Sequence, residues 1–173
     1  AFQARAARWL DHAESNCREL LATIGPGTFR FADALDSDGV TDEPVPLVAA
    51  VTIAGGTLTV DFTGSSAQRP SSVNAPRALT HSAVSYIVAG LLGGSAINAG
   101  AFRPVRVVAP EGTIVNPTWP AAVAGGNVET SQRVVDVVLG ALAQALPARV
   151  PAASQGTMNN VMFGGWAADR GTA

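Results

Sequence analysis

Residues 47–62 read LVAAVTIAGGTLTVDF, and this stretch decides what the chain can build. In its second half Leu58, Val60 and Phe62 alternate with Thr57, Thr59 and Asp61, the two-residue period of a strand with one buried face. Gly55 and Gly56 stand between the two apolar arms, and paired glycines supply the positive φ angles of a two-residue hairpin turn. A β-hairpin from 47–53 and 57–62 is therefore predicted. Upstream, Phe29, Phe31 and residues 32–35 read as a short strand. Downstream, residues 104–108 read as another, followed by a Pro110-Glu111-Gly112 turn.

Helical spacing brackets the strands. Phe2, Ala6, Trp9, Leu10, Ala13, Cys17, Leu20, Leu21 and Ile24 recur every three or four residues, one face of an amphipathic helix stopped by Gly25-Pro26-Gly27. Asn74 is placed to cap a second helix that runs to about Leu92, before Gly93 and Gly94. Val134, Val135, Val138, Leu139, Leu142 and Leu146 mark a third over residues 130–146, ended by Pro147. Residues 161–163 read as one more strand. The fold class predicted is α+β, a mixed sheet with a hairpin and about three amphipathic helices, all in one continuous unit over residues 1–173. The chain opens inside a helical pattern without Met and ends at WAADRGTA, which leads us to expect an internal segment of a larger subunit, truncated at both ends.

Composition narrows the chemistry. The chain has 173 residues, 47% hydrophobic and 14% charged, with a net charge of −2. Near-neutrality without a basic run argues against nucleic acid or an anionic membrane as a partner. No stretch reaches the roughly 18 consecutive apolar residues of a membrane span. All 11 basic residues are arginine. Without lysine, a phosphate loop that places an ammonium on a nucleotide is excluded, as is Schiff-base chemistry. The single cysteine, Cys17, precludes an internal disulfide and fits a reducing, cytoplasmic compartment.

Most candidate sites dissolve on inspection. Cys17 shares the apolar helix face and reads as core. His12 lies on the polar side of the first helix, and His81 stands alone on the second; neither forms a metal-ligand pair. The acidic run from Asp36 to Glu43 lacks the glutamate and flanking helices of a calcium loop and reads as a solvated turn. Ser154, in Ala152-Ala153-Ser154-Gln155-Gly156, lacks the strand and helix of a nucleophile elbow. One stretch holds more. Gly125 and Gly126 feed a helix start at Asn127-Val128-Glu129-Thr130-Ser131, where free backbone N–H groups and the helix dipole suit an anion or oxyanion. Gln155, Asn159 and Asn160 form a second cluster of amides, costly to bury unpartnered.

Three stretches together resemble the hydantoinase B/oxoprolinase family. They are Val60-Asp61-Phe62-Thr63-Gly64-Ser65-Ser66, then Asn98-Ala99-Gly100 with residues 102–107 and 109–113, and finally residues 126–133 with 151–160. The resemblance spans nearly the whole chain. It implies part of the B subunit of an ATP-dependent cyclic-amide hydrolase, of the 5-oxoprolinase or N-methylhydantoinase type. The alternatives within that resemblance are a subunit of an ATP-dependent ketone carboxylase and a non-catalytic scaffold that docks the A-type partner. The A-type subunit or domain would hold ATP with Mg, the family's metal-binding residues lie upstream of the matched region, and this segment itself would bind neither. On that reading Asn127 and Glu129 are the expected catalytic pair, with Asn127 and the N–H groups after Gly126 holding an oxyanion. Gly126, Ser131, Gln155, Asn159 and Asn160 would contact a small cyclic amide, and no metal ligand is assigned.

Overall fold

The computed structural model describes residues 2–93, 97–158 and Gly164. Helix α1 spans Phe2–Ile24 and is followed by strands β1 (Gly27–Leu35), β2 (Val45–Ala54) and β3 (Thr57–Asp61). Helix α2 (Arg77–Leu92) leads through a short turn of 3-10 helix at Ala99–Phe102 to strand β4 (Val105–Val108). A π-helical turn at Gly126–Thr130 then runs directly into helix α3 (Ser131–Ala143). The expected 161–163 strand lies outside the described residues.

The sheet order is β1-β2-β3-β4. β2 and β3 form the predicted hairpin, with Ala54 opposite Thr57 and both turn glycines at positive φ, 55° and 68°. β1 is longer than its sequence announced, because β2 pairs with all of it, from Gly27↔Ile53 to Leu35↔Val45. β4 runs parallel to β3. Parallel neighbours need a long crossover, and the segment carrying α2 supplies it. The sheet is therefore mixed and the class α+β.

Alternation decides the core. Val45, Leu47, Ala49, Val51 and Ile53 of β2 are all at most 2% exposed, and Leu58, Val60 and Phe62 continue that face. Helix α3 lies against β1 and β2 through Val134, Val137, Val138, Ala141 and Leu142, and α2 packs on α3 with Ala83, Val84, Ile87 and Val88. Burying an aliphatic side chain of this size contributes about 1.5–3 kcal/mol, so the α3 face is a main support of the layer. Helix α1 reaches the core through Ala13, Cys17 and Leu21, while Phe2 and Trp9 near its start stay exposed. Among the described residues no helix is long and apolar enough to cross a membrane.

Two sequence expectations need correction. Asn74 does not cap α2, whose first turn closes on the carbonyl of Pro76 without a side-chain cap. Instead Asn74 is fully buried, accepts from the N–H of Arg69 and donates to the carbonyls of Arg69, Ser71 and Ala122. It clamps the loop before α2 to the chain approaching α3. The 36–43 turn is likewise not simply solvated. Asp38 is 3% exposed and accepts from the backbone of Val40 and Thr41 and from Nε of Arg69 at 2.9 Å. The N–H groups of Thr41 and Val40, then the Arg69 guanidinium, hold its carboxyl well below the usual carboxylate range.

Candidate functional site

The glycine-rich stretch feeding α3 was expected to offer free N–H groups. The structure spends most of them internally. Gly125 and Gly126 both donate to the carbonyl of Ser72, at 2.8 and 3.1 Å, while Val128 and Glu129 donate to that of Gly125. The reason is close packing: a Cβ on Gly126 would lie 2.1 Å from the carbonyl oxygen of Asn74. Thr130 adds a side-chain hydrogen bond to the carbonyl of Val73, and Ser131 one to that of Asn127. The stretch is thus a docking seam for residues 72–75, and what it offers a ligand are side chains.

Those side chains diverge. Positions two apart on a helical turn do not share a face, and Asn127 and Glu129 accordingly fall on different sides. Asn127 and Ser131 line a groove of about 570 Å³ between α2 and α3, walled by Leu79, Tyr86, Val135 and Met158. Glu129 and Gln155 line a separate cleft of about 370 Å³, with Asp36, Asp38, Arg133 and Thr157 around it. Gly126 lines neither and is buried against the backbone of Asn74 and Ala75. Asn159 and Asn160 lie outside the described residues.

Residues 154–158 cross the start of α3 and are fastened there at several points. The Met158 N–H donates to the carbonyl of Val128 at 3.0 Å, and the Thr157 hydroxyl to Oε1 of Glu129 at 2.6 Å. The Ser154 hydroxyl accepts from the N–H of Gly156 at 3.1 Å. Gly156 sits at φ 79°, and a Cβ there would meet Nη2 of Arg133 at 2.4 Å. Arg133 in turn bonds Asp33 of β1 through Nη1 and stands 4.0 Å from Asp136. Nε of Arg133 and Oδ2 of Asp136 are buried without a hydrogen-bond partner among the described residues. Burial pushes the Asp136 carboxyl up from its ordinary value, partly opposed by Arg133.

Chemically, the cleft presents the Glu129 carboxylate, held by the Thr157 hydroxyl, with the carboxylates of Asp36 and Asp38, the Gln155 amide and the Arg133 guanidinium lining the same space. Oε2 of Glu129 carries no hydrogen bond among the described residues, so it can accept from a water or a substrate N–H. The sequence reading missed Asp33, Arg133, Asp136 and Thr157 as a connected group. Arg133 and Thr157 both lie inside the quoted family stretches, which was the available signal; Asp33 and Asp136 carried none.

Other candidates stand apart. Cys17 is fully buried, and burial pushes its thiol up. His12 is exposed beside Asn16. His81 is half-buried and lowered, first by burial and then by Arg77; it lines an open surface with Arg106 and Glu111, away from both clefts. Among the described residues no group of three or more His, Cys, Asp or Glu could hold a metal ion.

A four-stranded mixed sheet backed by helices, with a polar strap crossing the start of α3, defines an α+β module. The chain belongs to the hydantoinase B/oxoprolinase family, which it matches over residues 1–173. It is 39% identical over 161 residues to a protein of Methanocaldococcus jannaschii, covering 91% of this chain and 28% of that one. It is 44% identical over 110 residues to 5-oxoprolinase 1 of Arabidopsis thaliana, covering 63% of this chain and 8% of the enzyme. Its fold matches the ATP-dependent caprolactamase of Pseudomonas jessenii with a TM-score of 0.71 at 28% identity, over 86% of this chain and 26% of that structure. Acetone carboxylase shares the fold, with a TM-score of 0.68 at 20% identity over 82% of this chain and 21% of that structure. The chain thus spans less than a third of the length of these relatives.

Proposed function

We propose that this chain is part of the B subunit of an ATP-dependent cyclic-amide hydrolase, of the 5-oxoprolinase or N-methylhydantoinase type, acting with an A-type ATPase partner in the cytoplasm. The observation that carries this reading is the family match across residues 1–173 together with the likeness to an ATP-dependent caprolactamase. The residues here do not fit a nucleotide: the chain has no lysine and its glycine-rich N–H groups are engaged. On this reading ATP and Mg are held by the partner, and any divalent metal by the part of the subunit upstream.

The work left to this segment is to hold the cyclic amide and to direct a water. Glu129, with one oxygen fixed by Thr157, orients or deprotonates that water through Oε2. Gln155 supplies amide contacts beside it, in line with its place in the same cleft. Asn127 and Ser131 act from the neighbouring groove, whose apolar wall suits ring methylenes. With most of the backbone donors engaged, an oxyanion formed beside Glu129 relies on the Gln155 amide in the same cleft, while Asn127 contacts the substrate from the groove. Asn159 and Asn160 remain proposed contacts on sequence grounds alone.

A second reading, a ketone carboxylase subunit, is favoured by the likeness of fold to acetone carboxylase. A third is a non-catalytic scaffold that docks the A partner. The test is ADP release by the full-length subunit with its A-type partner, offered 5-oxoproline, hydantoin, and a ketone with bicarbonate. Release coupled to ring opening is the expected result. Release only with ketone and bicarbonate moves the chain to the carboxylase reading, and full activity in Glu129→Ala and Asn127→Ala variants moves it to the scaffold.

A further inference from the structure

Arg133 has two carboxylates within ion-pair reach and hydrogen-bonds only one. Nη1 bonds Asp33, across the sheet edge on β1, while Asp136, one turn along its own helix, stands 4.0 Å away. The near miss leaves Nε of Arg133 and Oδ2 of Asp136 both buried and without a partner among the described residues. Buried polar atoms left in this state are rare in native proteins and call for a reason. A fork-to-fork pair between these two side chains would satisfy both atoms, so something other than their own pairing fixes the guanidinium where it is.

That position has one evident use. Nη2 rests over Gly156, where there is no room for a Cβ, and Gly156 holds a left-handed φ of 79°. On either side of that glycine are Gln155, which lines the cleft, and Thr157, whose hydroxyl fixes Glu129. A continuous chain of contact thus runs from Asp33 through Arg133 and Gly156 to Thr157 and Glu129, joining the sheet to the cleft.

We propose that Arg133 is a positioning residue: anchored on Asp33, it seats Gly156 so that Thr157 and Gln155 hold their places around the Glu129 carboxylate. The inference rests on the cleft reading of the preceding section and adds to it the element that sets the cleft's geometry.

The test uses the full-length subunit with its partner and three variants, Arg133→Met, Arg133→Lys and Gly156→Ala, with Glu129→Gln as a control for the cleft. Amide hydrogen exchange over 155–158 is expected to quicken by at least about tenfold in Arg133→Met and Gly156→Ala. Turnover should fall by about tenfold or more, mainly in kcat, with partial recovery in Arg133→Lys. Unchanged exchange over 155–158 in Arg133→Met overturns the proposal whatever the activity does. Loss of turnover in Glu129→Gln with full turnover in Arg133→Met overturns it alone and leaves the cleft standing. Full turnover in Glu129→Gln removes the cleft reading, and with it the purpose of the positioning. A global loss of folding in Gly156→Ala is separated by Arg133→Lys, which keeps the charge and the glycine.

Discussion

Asn127 and Glu129 are two residues apart and face different cavities: Asn127 the apolar groove between α2 and α3, Glu129 the polar cleft beside Thr157 and Arg133. A pair acting on one atom would have to share a cavity. The two are therefore separate contributors, and their substitution is informative as a pair. In the intact complex Glu129→Ala and Asn127→Ala are each expected to lower turnover by about tenfold or more. Because they share no partner, the double variant should multiply the two losses. Steady-state kinetics of the three variants checks this, and a double variant no worse than either single one would mean the two clefts act as one site.

Acid and neutral conditions should separate two buried aspartates with opposite signs. Asp38 is depressed by the N–H groups of Thr41 and Val40 and by Arg69. A depressed carboxyl contributes stability that is complete above its unfolded value, about 3.9, and is lost as pH falls toward its folded value. Asp136 is raised by burial. Its contribution is complete below that unfolded value and is lost as pH rises through the folded one. Asp38→Asn should therefore lower Tm at neutral pH and flatten its decline in acid, whereas Asp136→Asn should raise Tm at neutral pH. Thermal melts of the two variants from pH 3 to 8 test the signs directly.

What the sequence made legible was local. The Gly55-Gly56 turn fixes a hairpin between adjacent strands, and the spacing of Val134, Val138 and Leu142 defines a helix face without reference to the rest of the chain. The misreadings all involve contacts across long separations. Asp38 is buried because Arg69, 31 residues on, pairs with it. Asn74 looked like a cap because caps are judged from neighbours, yet its distant partner is Ala122, 48 residues on. The free N–H groups expected at Gly126 were taken by Ser72, a strand-to-helix loop residue that no local pattern connects with α3.

Cys17 gives a check on α1 that is independent of any activity. Its thiol is fully buried and raised by burial, so the nucleophilic thiolate is scarce and shielded. A thiol reagent at neutral pH should leave it unmodified in the folded subunit and label it on unfolding. Cys17→Ala should cost roughly 1–2 kcal/mol through the lost volume. Labelling of the native protein at the rate of the denatured one would show that α1 does not hold the position described here.

The seam between the 71–75 loop and the start of α3 supports both clefts, and two substitutions probe it from opposite sides. Asn74→Ala removes one acceptor and the donors to three carbonyls from a fully buried position. Leaving such groups unpaired is expected to cost about 2–4 kcal/mol in sum. Gly126→Ala acts by collision instead, since its Cβ would lie 2.1 Å from the Asn74 carbonyl oxygen and 3.0 Å from Cα of Ala75. Backbone on both sides leaves no side chain to yield, so a loss of at least about 1–3 kcal/mol follows. Both variants should lower Tm and quicken amide exchange at Gly125 and Gly126, whose N–H groups bond Ser72. Together they should fall short of the sum, because a seam already opened by one has less to lose from the other. Full additivity would place Asn74 and Gly126 in independent contacts and separate the loop before α2 from the geometry of Glu129.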